Sequence, residues 1–139
     1  MSSRTLTIIK PDSVEKGNFG KVVARIESEG FKILAIRKMQ LTAAQAQRFY
    51  AVHRERPFFN DLVAYMTSGP VYPAALQKED AVPSLRNLMG ATDPAKADEG
   101  TIRKEFGESI ERNAIHGSDS DENAAKEIAF FFAEADIVA

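Results

Sequence analysis

The sequence contains no cysteine and only two histidines. The first absence excludes disulfides and thiolate metal sites, and the second argues against a metal cage built from several histidines. Its 18 basic residues are balanced by 20 acidic ones, so the net charge of -2 does not favour bulk binding to nucleic acid or to a membrane surface. An anionic ligand must therefore be held by a few well-placed cations.

Long apolar runs are absent as well. The chain starts with Met1-Ser2-Ser3-Arg4 and continues directly into a strand pattern, without a secretory or membrane-spanning segment. We therefore expect a cytoplasmic protein. The length of 139 residues, with no repeat or linker, predicts one domain over residues 1–139. Two phosphate-binding motifs are also missing, G-x-x-x-x-G-K-[ST] and G-x-G-x-x-G.

Hydrophobic periodicity and turn residues predict alternating strands and helices. The predicted strands are Thr5–Lys10, Phe31–Met39, Val71–Leu76 and a short one at Ile115-His116. The main predicted helices begin after Asn18, at the capping box of Thr42 and Gln45 (through about Val52), near Pro83 and after Ser118, Asp119 or Ser120. A short helix between residues 57 and 68 and a helical turn at Thr101–Phe106 complete the order. This order is βαββαβ, which predicts an α/β fold (an α+β sandwich) of ferredoxin-like type, with a four-stranded antiparallel sheet and helices packed on it.

Two segments fit this pattern less well. Pro73 is unfavourable inside the third strand and predicts a bulge, an edge position or a late strand start. The polar loop Ala91–Gly100 is near the upper length of ordinary connections, which is typical of a functional or interfacial segment.

One stretch, Asn113-Ala114-Ile115-His116-Gly117-Ser118-Asp119, places a histidine beside a glycine that leaves open space. In the helix that follows, Glu127 shares the phase of Ala124, Ile128 and Phe131, so its carboxylate is predicted to point towards the core. A buried charge needs a partner, and His116 is the nearest candidate. An imidazole that donates one N–H to a carboxylate keeps its other nitrogen free as a nucleophile. Taken alone, however, a single histidine is more often structural.

Other candidate residues have two interpretations from the sequence alone. Lys10 ends a strand and is either a surface lysine or a ligand-binding cation. Tyr50 has helical spacing that is more typical of core than of catalysis. The stretch from His53 to Phe59 either binds a base and phosphate or forms a solvated turn. Together with Lys10, the arginines at element ends and loops could bind phosphate oxygens; they are Arg54, Arg56, Arg86 and Arg103.

Six motifs together resemble the nucleoside diphosphate kinase family, and they occur in the family's order from about Arg4 to Phe132. They are the stretch around His116 and five others: Thr7-Ile8-Ile9-Lys10-Pro11-Asp12, Tyr50-Ala51-Val52-His53, Arg56-Pro57-Phe58-Phe59, Met66-Thr67-Ser68-Gly69-Pro70 and Leu88-Met89-Gly90-Ala91-Thr92. The resemblance implies an enzyme that moves the terminal phosphate of a nucleoside triphosphate, such as ATP, onto a nucleoside diphosphate by a ping-pong mechanism.

The resemblance also implies a role for each matched residue. His116 matches the phosphorylated residue, Glu127 the acid that orients it, and Tyr50 a ring beside it. Lys10 and Asn113 match residues that hold the sugar hydroxyls, with Lys10 also near the transferred phosphate. The remaining matches are nucleotide contacts: Arg86, Thr92 and Arg103 for the phosphates, His53 for a weaker phosphate contact, and Phe58 and Ile110 for the two sides of the base, where Ile110 replaces the usual valine.

The family uses Mg2+ that arrives on the nucleotide phosphates, so no protein side chain is expected to bind metal. It also implies a homo-oligomer built from dimers, either a tetramer or a hexamer, without membrane or obligate nucleic-acid partners. The chain departs from the family at Val71-Tyr72-Pro73 and Gln77-Lys78, which leaves the regularity of the third strand open. A competing hypothesis is a nucleotide- or nucleic-acid-binding ferredoxin-like module without turnover, and another is a structural subunit.

Overall fold

The sheet has the predicted four antiparallel strands. A computed structural model of the chain describes residues 2–139 and places the strands in the order β2-β3-β1-β4, with each neighbouring pair antiparallel. The strands are β1 (Ser2–Ile9), β2 (Lys32–Ile36), β3 (Tyr72–Glu79) and β4 (Ile115–Gly117). The two long strands β1 and β3 are therefore central, and the short β4 that carries His116 lies at one edge.

Helices pack on the sheet. Within residues 2–139 the α-helices are α1 (Pro11–Glu15), α2 (Phe19–Ser28), α3 (Ala43–Phe49), α4 (Phe59–Met66), α5 (Ala81–Met89), α6 (Ile102–Phe106) and α7 (Asp121–Phe131). Single 3-10 turns lie at Ala51–His53, Pro94–Lys96 and Glu134–Asp136. None of the helices in this part of the chain is both long enough and apolar enough to cross a membrane.

Both faces of the sheet are covered. One apolar cluster joins β1, β3 and β4 to α2, α5 and α6, and the other joins β1, β2 and β3 to α4, α7 and the end of α3. Side chains alternate along a strand, so Leu6 and Ile8 of β1 enter the second cluster while Ile9 enters the first. Every residue of β1 from Thr5 to Ile9 is buried, including the polar Thr5 and Thr7, as expected for a strand covered on both faces.

Pro73 lies inside a central strand, contrary to the expectation of an edge or a late start. Its carbonyl accepts a hydrogen bond from the Arg37 N–H (3.2 Å), on the β2 side. The N–H and C=O of one strand residue point to the same side. The donor that proline lacks would therefore face Arg37, just past the end of β2. The antiparallel pairing resumes between Met39 and Val71, and pairing of Pro73 with Ile8 of β1 is retained. A bulge is present, but it lies between Ile33 and Ala35 of β2.

Most predicted helix ends are confirmed, with one change near the site. Thr42 and Gln45 form the predicted capping box, with reciprocal hydrogen bonds of 3.1 and 2.9 Å. The helix ends at Phe49 rather than near Val52, and the chain tightens into a 3-10 turn, as is common at helix ends. The short helix α1, which the sequence patterns did not predict, begins directly after Lys10 with Pro11 at its first position.

Candidate active site

One cavity of about 970 Å³ is lined by every residue to which the family resemblance assigned a role. They come from loops and from the ends of helices and strands. They are Lys10, Tyr50, His53, Phe58, Arg86, Thr92, Arg103, Ile110, Asn113, His116 and Glu127. Arg54 and Arg56, two of the candidate cations, are instead exposed outside this cavity.

The predicted contact between His116 and Glu127 is present. His116 lies on β4 and Glu127 on the inner face of α7, and the distance from His116 Nε2 to Glu127 Oε1 is 2.9 Å. Each side chain is 21% exposed, so the pair faces the cavity without being fully solvated. When Nε2 donates its proton to the carboxylate, Nδ1 carries the free lone pair of the neutral ring.

Ser118 is a site residue that the sequence analysis missed, having been considered only as a helix cap. The cap is Ser120, whose hydroxyl accepts from the Asn123 N–H. The buried Ser118 hydroxyl donates to Glu127 Oε1 at 2.7 Å, the same oxygen that contacts His116. The available signal was strand parity, because residues two apart on an extended chain point to the same side. Glu127 is thus held by two donors.

Aromatic rings enclose the imidazole from the α3 side. Phe49 and Tyr50 both meet the His116 ring edge-on, with centroid distances of 5.6 and 6.4 Å. The Tyr50 hydroxyl is buried and has no hydrogen-bond partner among residues 2–139. Burial, followed by the negative charge of Glu127, raises the pKa of Tyr50 well above its ordinary value, so its phenol stays neutral. Phe49 was not predicted, although it immediately precedes a matched residue.

Lys10 and Asn113 form the floor of the cavity on the opposite side. Lys10 Nζ donates to Asn113 Oδ1 at 2.7 Å, and the Asn113 amide donates to the Thr92 carbonyl at 3.0 Å. Burial, with a smaller contribution from the positive charge of Arg103, lowers the pKa of Lys10 to about 8. The ammonium group is therefore a ligand-facing cation and not a surface residue.

Two arginines bring positive charge close to the histidine. Arg103 donates to the carbonyls of Gly90 (3.1 Å) and Ile115 (2.9 Å), and Arg86 donates to the carbonyl of Gly117 (3.5 Å). Burial and the neighbouring charge of Arg86 lower the pKa of Arg103 to about 10. Backbone carbonyls orient these guanidinium groups without neutralising them, which leaves their charge available to an anion.

Two exposed apolar side chains line the cavity. Phe58 is 47% exposed and Ile110 is 61% exposed, which is high for large apolar side chains. The His53 ring lies beside Phe58 with a centroid distance of 5.4 Å. A flat apolar group bound here would cover both exposed side chains.

The structure corrects one expectation, that Gly117 leaves open space beside the imidazole. A Cβ on Gly117 would lie 2.5 Å from Met89 Sδ and 3.1 Å from Leu85 Cδ2. Glycine fits here because α5 packs closely against β4, and the open space beside His116 belongs to the cavity that both residues line.

No protein side chain was predicted from the sequence to be a metal ligand. Within the described part of the chain, residues 2–139, no group of three or more His, Asp or Glu side chains is placed to bind a metal ion.

Comparison with known proteins identifies the family of the chain. Residues 3–137 match the family model described as nucleoside diphosphate kinase. The chain is 61% identical over 135 residues to the nucleoside diphosphate kinase of a Nitratiruptor species, covering 97% of this chain and 98% of the relative. It is 56% identical over 137 residues to that of Helicobacter pylori, covering 99% and 100%.

Solved structures give the same result at the level of the backbone. The crystal structure of the Aquifex aeolicus nucleoside diphosphate kinase superimposes with a TM-score of 0.97 at 47% identity, covering 99% of this chain and 100% of the other. The Halobacterium salinarum enzyme in complex with CDP superimposes with a TM-score of 0.95 at 39% identity, covering 100% and 93%. The chain therefore belongs to the nucleoside diphosphate kinase family.

Proposed function

We propose that the chain transfers the terminal phosphate of a nucleoside triphosphate to a nucleoside diphosphate through a phosphorylated His116. The observation that carries this proposal is the His116–Glu127 pair, 2.9 Å apart, in a cavity that Lys10, Arg86 and Arg103 also line. A nucleophile with an orienting acid, placed among phosphate-binding cations, suits phosphoryl transfer.

In the first half-reaction, the lone pair on His116 Nδ1 attacks the terminal phosphorus of the triphosphate. The P–N bond forms as the P–O bond to the next phosphate breaks, and the diphosphate leaves with that electron pair. Positive charge develops on the imidazole, and the Glu127 carboxylate at Nε2 stabilises it. In the second half-reaction a terminal oxygen of another diphosphate attacks the same phosphorus, the P–N bond breaks, and neutral His116 is restored.

Arg86, Arg103 and Thr92 are proposed to bind the phosphate oxygens. The negative charge of the transferred group is spread over its outer oxygens in the transition state, and donors already oriented by the protein stabilise it. The carbonyl bonds of Arg103, to Gly90 and Ile115, supply that orientation. His53 is proposed to add a weaker phosphate contact.

Lys10 and Asn113 are proposed to hold the sugar hydroxyls, and Phe58 and Ile110 to enclose the base. The hydrogen bond between Lys10 and Asn113 places a donor and an amide together at the cavity floor. Stacking on Phe58 is tolerant of base identity because every base has a π-face. We therefore propose that the enzyme accepts both purine and pyrimidine diphosphates. The Halobacterium salinarum relative was crystallised with CDP.

The site fits Mg2+ that is delivered on the phosphates of the nucleotide. Mg2+ would enter the cavity on the nucleotide phosphates, for which Arg86 and Arg103 supply further positive charge. When bound, Mg2+ neutralises part of the phosphate charge. Orientation of the nucleotide is left to the protein groups described above.

The competing hypotheses were a binding module without turnover and a structural subunit. Neither requires an imidazole that a partly buried carboxylate orients, because binding a nucleotide needs no nucleophile. The hydrogen bonds that Glu127 receives from His116 and Ser118 therefore support an enzyme.

The test is incubation with ATP labelled on its terminal phosphate. We expect acid-labile, alkali-stable label at one site per chain, located at His116 by mass spectrometry, and none in His116→Asn. His53→Asn is the matched control, because the chain has only these two histidines. It should retain full labelling at saturating ATP. Label on serine, or label that persists in His116→Asn, would contradict the proposal.

Steady-state kinetics test the ping-pong mechanism, and the mass in solution tests the oligomeric state. A single cavity that serves donor and acceptor in turn predicts parallel double-reciprocal lines, and intersecting lines would count against a phosphoenzyme. We also propose a homo-oligomer built from dimers, and a mass measurement in solution distinguishes a tetramer from a hexamer.

A further inference from the structure

The turn that precedes the histidine is strained. Ala114 has a φ of 77°, in the left-handed region that a residue with a Cβ rarely adopts. The Ile115 N–H donates to the Asn113 carbonyl at 2.9 Å, which closes a three-residue turn around Ala114. Asn113 is the first residue of this turn and His116 directly follows the turn, so the shape of the turn decides where both side chains point.

The backbone N–H and carbonyl of Ala114 are both hydrogen-bonded to residues that are distant in the sequence. Its N–H donates to Asp12 Oδ2 at 3.0 Å. Its carbonyl accepts from the Lys10 N–H at 3.0 Å and from the Ser13 hydroxyl at 3.1 Å. Residues 10–13, at the start of α1, therefore hold the strained residue from both sides.

Asp12 is in turn held by Tyr65 of α4. Asp12 is fully buried, and its Oδ1 accepts a hydrogen bond from the Tyr65 hydroxyl. The Asp12 N–H donates to the same hydroxyl oxygen at 3.0 Å. Burial and the bond to Asp12 raise the pKa of Tyr65 above its ordinary range, which keeps the phenol a donor. Lys10 and Arg112 place their positive charges over the Tyr65 ring, at 5.9 and 5.5 Å from its centroid.

A buried carboxylate is a costly way to fill a core position, and a neutral side chain would serve packing alone. Asp12 instead directs one oxygen to the backbone of the residue two before His116. The other oxygen receives the Tyr65 hydroxyl, so the bond to Ala114 has a defined direction.

We propose that Asp12, held by Tyr65, is a positioning residue that keeps Ala114 in its left-handed turn and thereby orients both Asn113 and His116. The kinetic consequence rests on the proposed function, because it assumes phosphorylation of His116. The consequence for nucleotide affinity does not, since Asn113 faces the cavity whether or not the phosphate is transferred.

Two conservative variants test this. Asp12→Asn keeps the shape but replaces one oxygen by an NH2 group, so either Ala114 or Tyr65 loses its acceptor. Tyr65→Phe keeps the ring and removes the hydroxyl. We expect single-turnover phosphorylation of His116 to slow about 100-fold in Asp12→Asn and about tenfold in Tyr65→Phe, because small misplacements of reacting groups have effects of this size. ADP affinity should weaken about tenfold in Asp12→Asn.

A matched control separates positioning from loss of stability. Val22→Ala removes buried volume from α2, away from the cavity lining. At a temperature where every variant is folded, it should keep the wild-type rate and affinity. Rescue is a second readout: Ala114→Gly in the Asp12→Asn background should recover most of the lost rate, because glycine adopts positive φ without strain.

Each outcome of these experiments either supports or overturns the positioning role of Asp12. Wild-type rate and affinity in folded Asp12→Asn would overturn the proposal, as would an equal loss in Val22→Ala. If Asp12→Asn does not fold, Tyr65→Phe decides by the same comparison. If the wild-type chain takes no label on His116, the proposed function fails, and the ADP affinities still judge the positioning role.

Discussion

Lys10 offers the sharpest link between the structure and a measurable stability. Lys10 is only 8% exposed, and burial together with the charge of Arg103 lowers its pKa from 10.5 to about 8. Asp12 and Glu111 oppose the shift without cancelling it. At neutral pH the buried positive charge of Lys10 therefore lowers the free energy of unfolding.

The sign of the pH dependence follows from proton binding. Between pH 8 and 10.5 the folded chain has released the Lys10 proton while the unfolded chain still holds it. The unfolded state binds more protons in this window, so the free energy of unfolding rises with pH there. For these two pKa values, the rise amounts to about 2 kcal/mol between pH 7.5 and 9.5.

The assay is urea unfolding of the wild type and Lys10→Met across this pH range. Methionine has a similar length and no charge, and all other titrating groups are common to both chains. Loss of the hydrogen bond to Asn113 costs the variant about 1–3 kcal/mol, as an offset that varies little with pH. The wild type should gain about 2 kcal/mol relative to Lys10→Met as the pH rises from 7.5 to 9.5. Parallel curves for the two chains would refute the reasoning.

Three further predictions concern the residues around the histidine. Glu127→Gln should slow single-turnover phosphorylation of His116 by about two to four powers of ten with little change in nucleotide affinity, because it removes the charge and keeps the shape. A wild-type rate would show that Glu127 has no part in the reaction. Ser118→Ala should slow the same step about tenfold by removing one of the two donors to Glu127, and an unchanged rate would show that His116 alone holds the carboxylate. Gly117→Ala should lower the free energy of unfolding by about 1–3 kcal/mol, measured in urea, because its Cβ would lie 2.5 Å from Met89 Sδ; unchanged stability would mean that Met89 moves aside.

Much of the fold could be predicted because its signals are local. The capping box of Thr42 and Gln45 involves two residues three apart, and it appears as predicted. The helical phase that placed Glu127 on the buried face of α7 depends only on the spacing of Ala124, Ile128 and Phe131. The contact of Glu127 with His116 followed from that phase and from the cost of an unpaired buried charge.

Other features could not be predicted because they depend on which elements become neighbours. Pro73 is tolerated in a central strand because only its missing N–H is lost from the pairing, while its carbonyl still accepts from Arg37 and Val71 still pairs with Met39. No pattern around Pro73 shows which residues lie opposite it. The roles assigned to Arg86, Thr92, Arg103 and Phe58 came from motif resemblance. Residue type and position alone left Arg86 and Arg103 as possible phosphate-binding cations and Phe58 as part of either a base site or a solvated turn.

The sequence by itself determined the order of strands and helices, the helix caps and the phase that buries Glu127, because each depends on side chains a few positions apart. The tertiary structure decided what surrounds those groups. Asp12 meets Ala114 across 102 positions, Tyr65 meets Asp12 across 53, and the pKa of Lys10 is set by its burial and by Arg103. Burial, close packing and electrostatic fields depend on distances through space, and only folding brings these distant residues together.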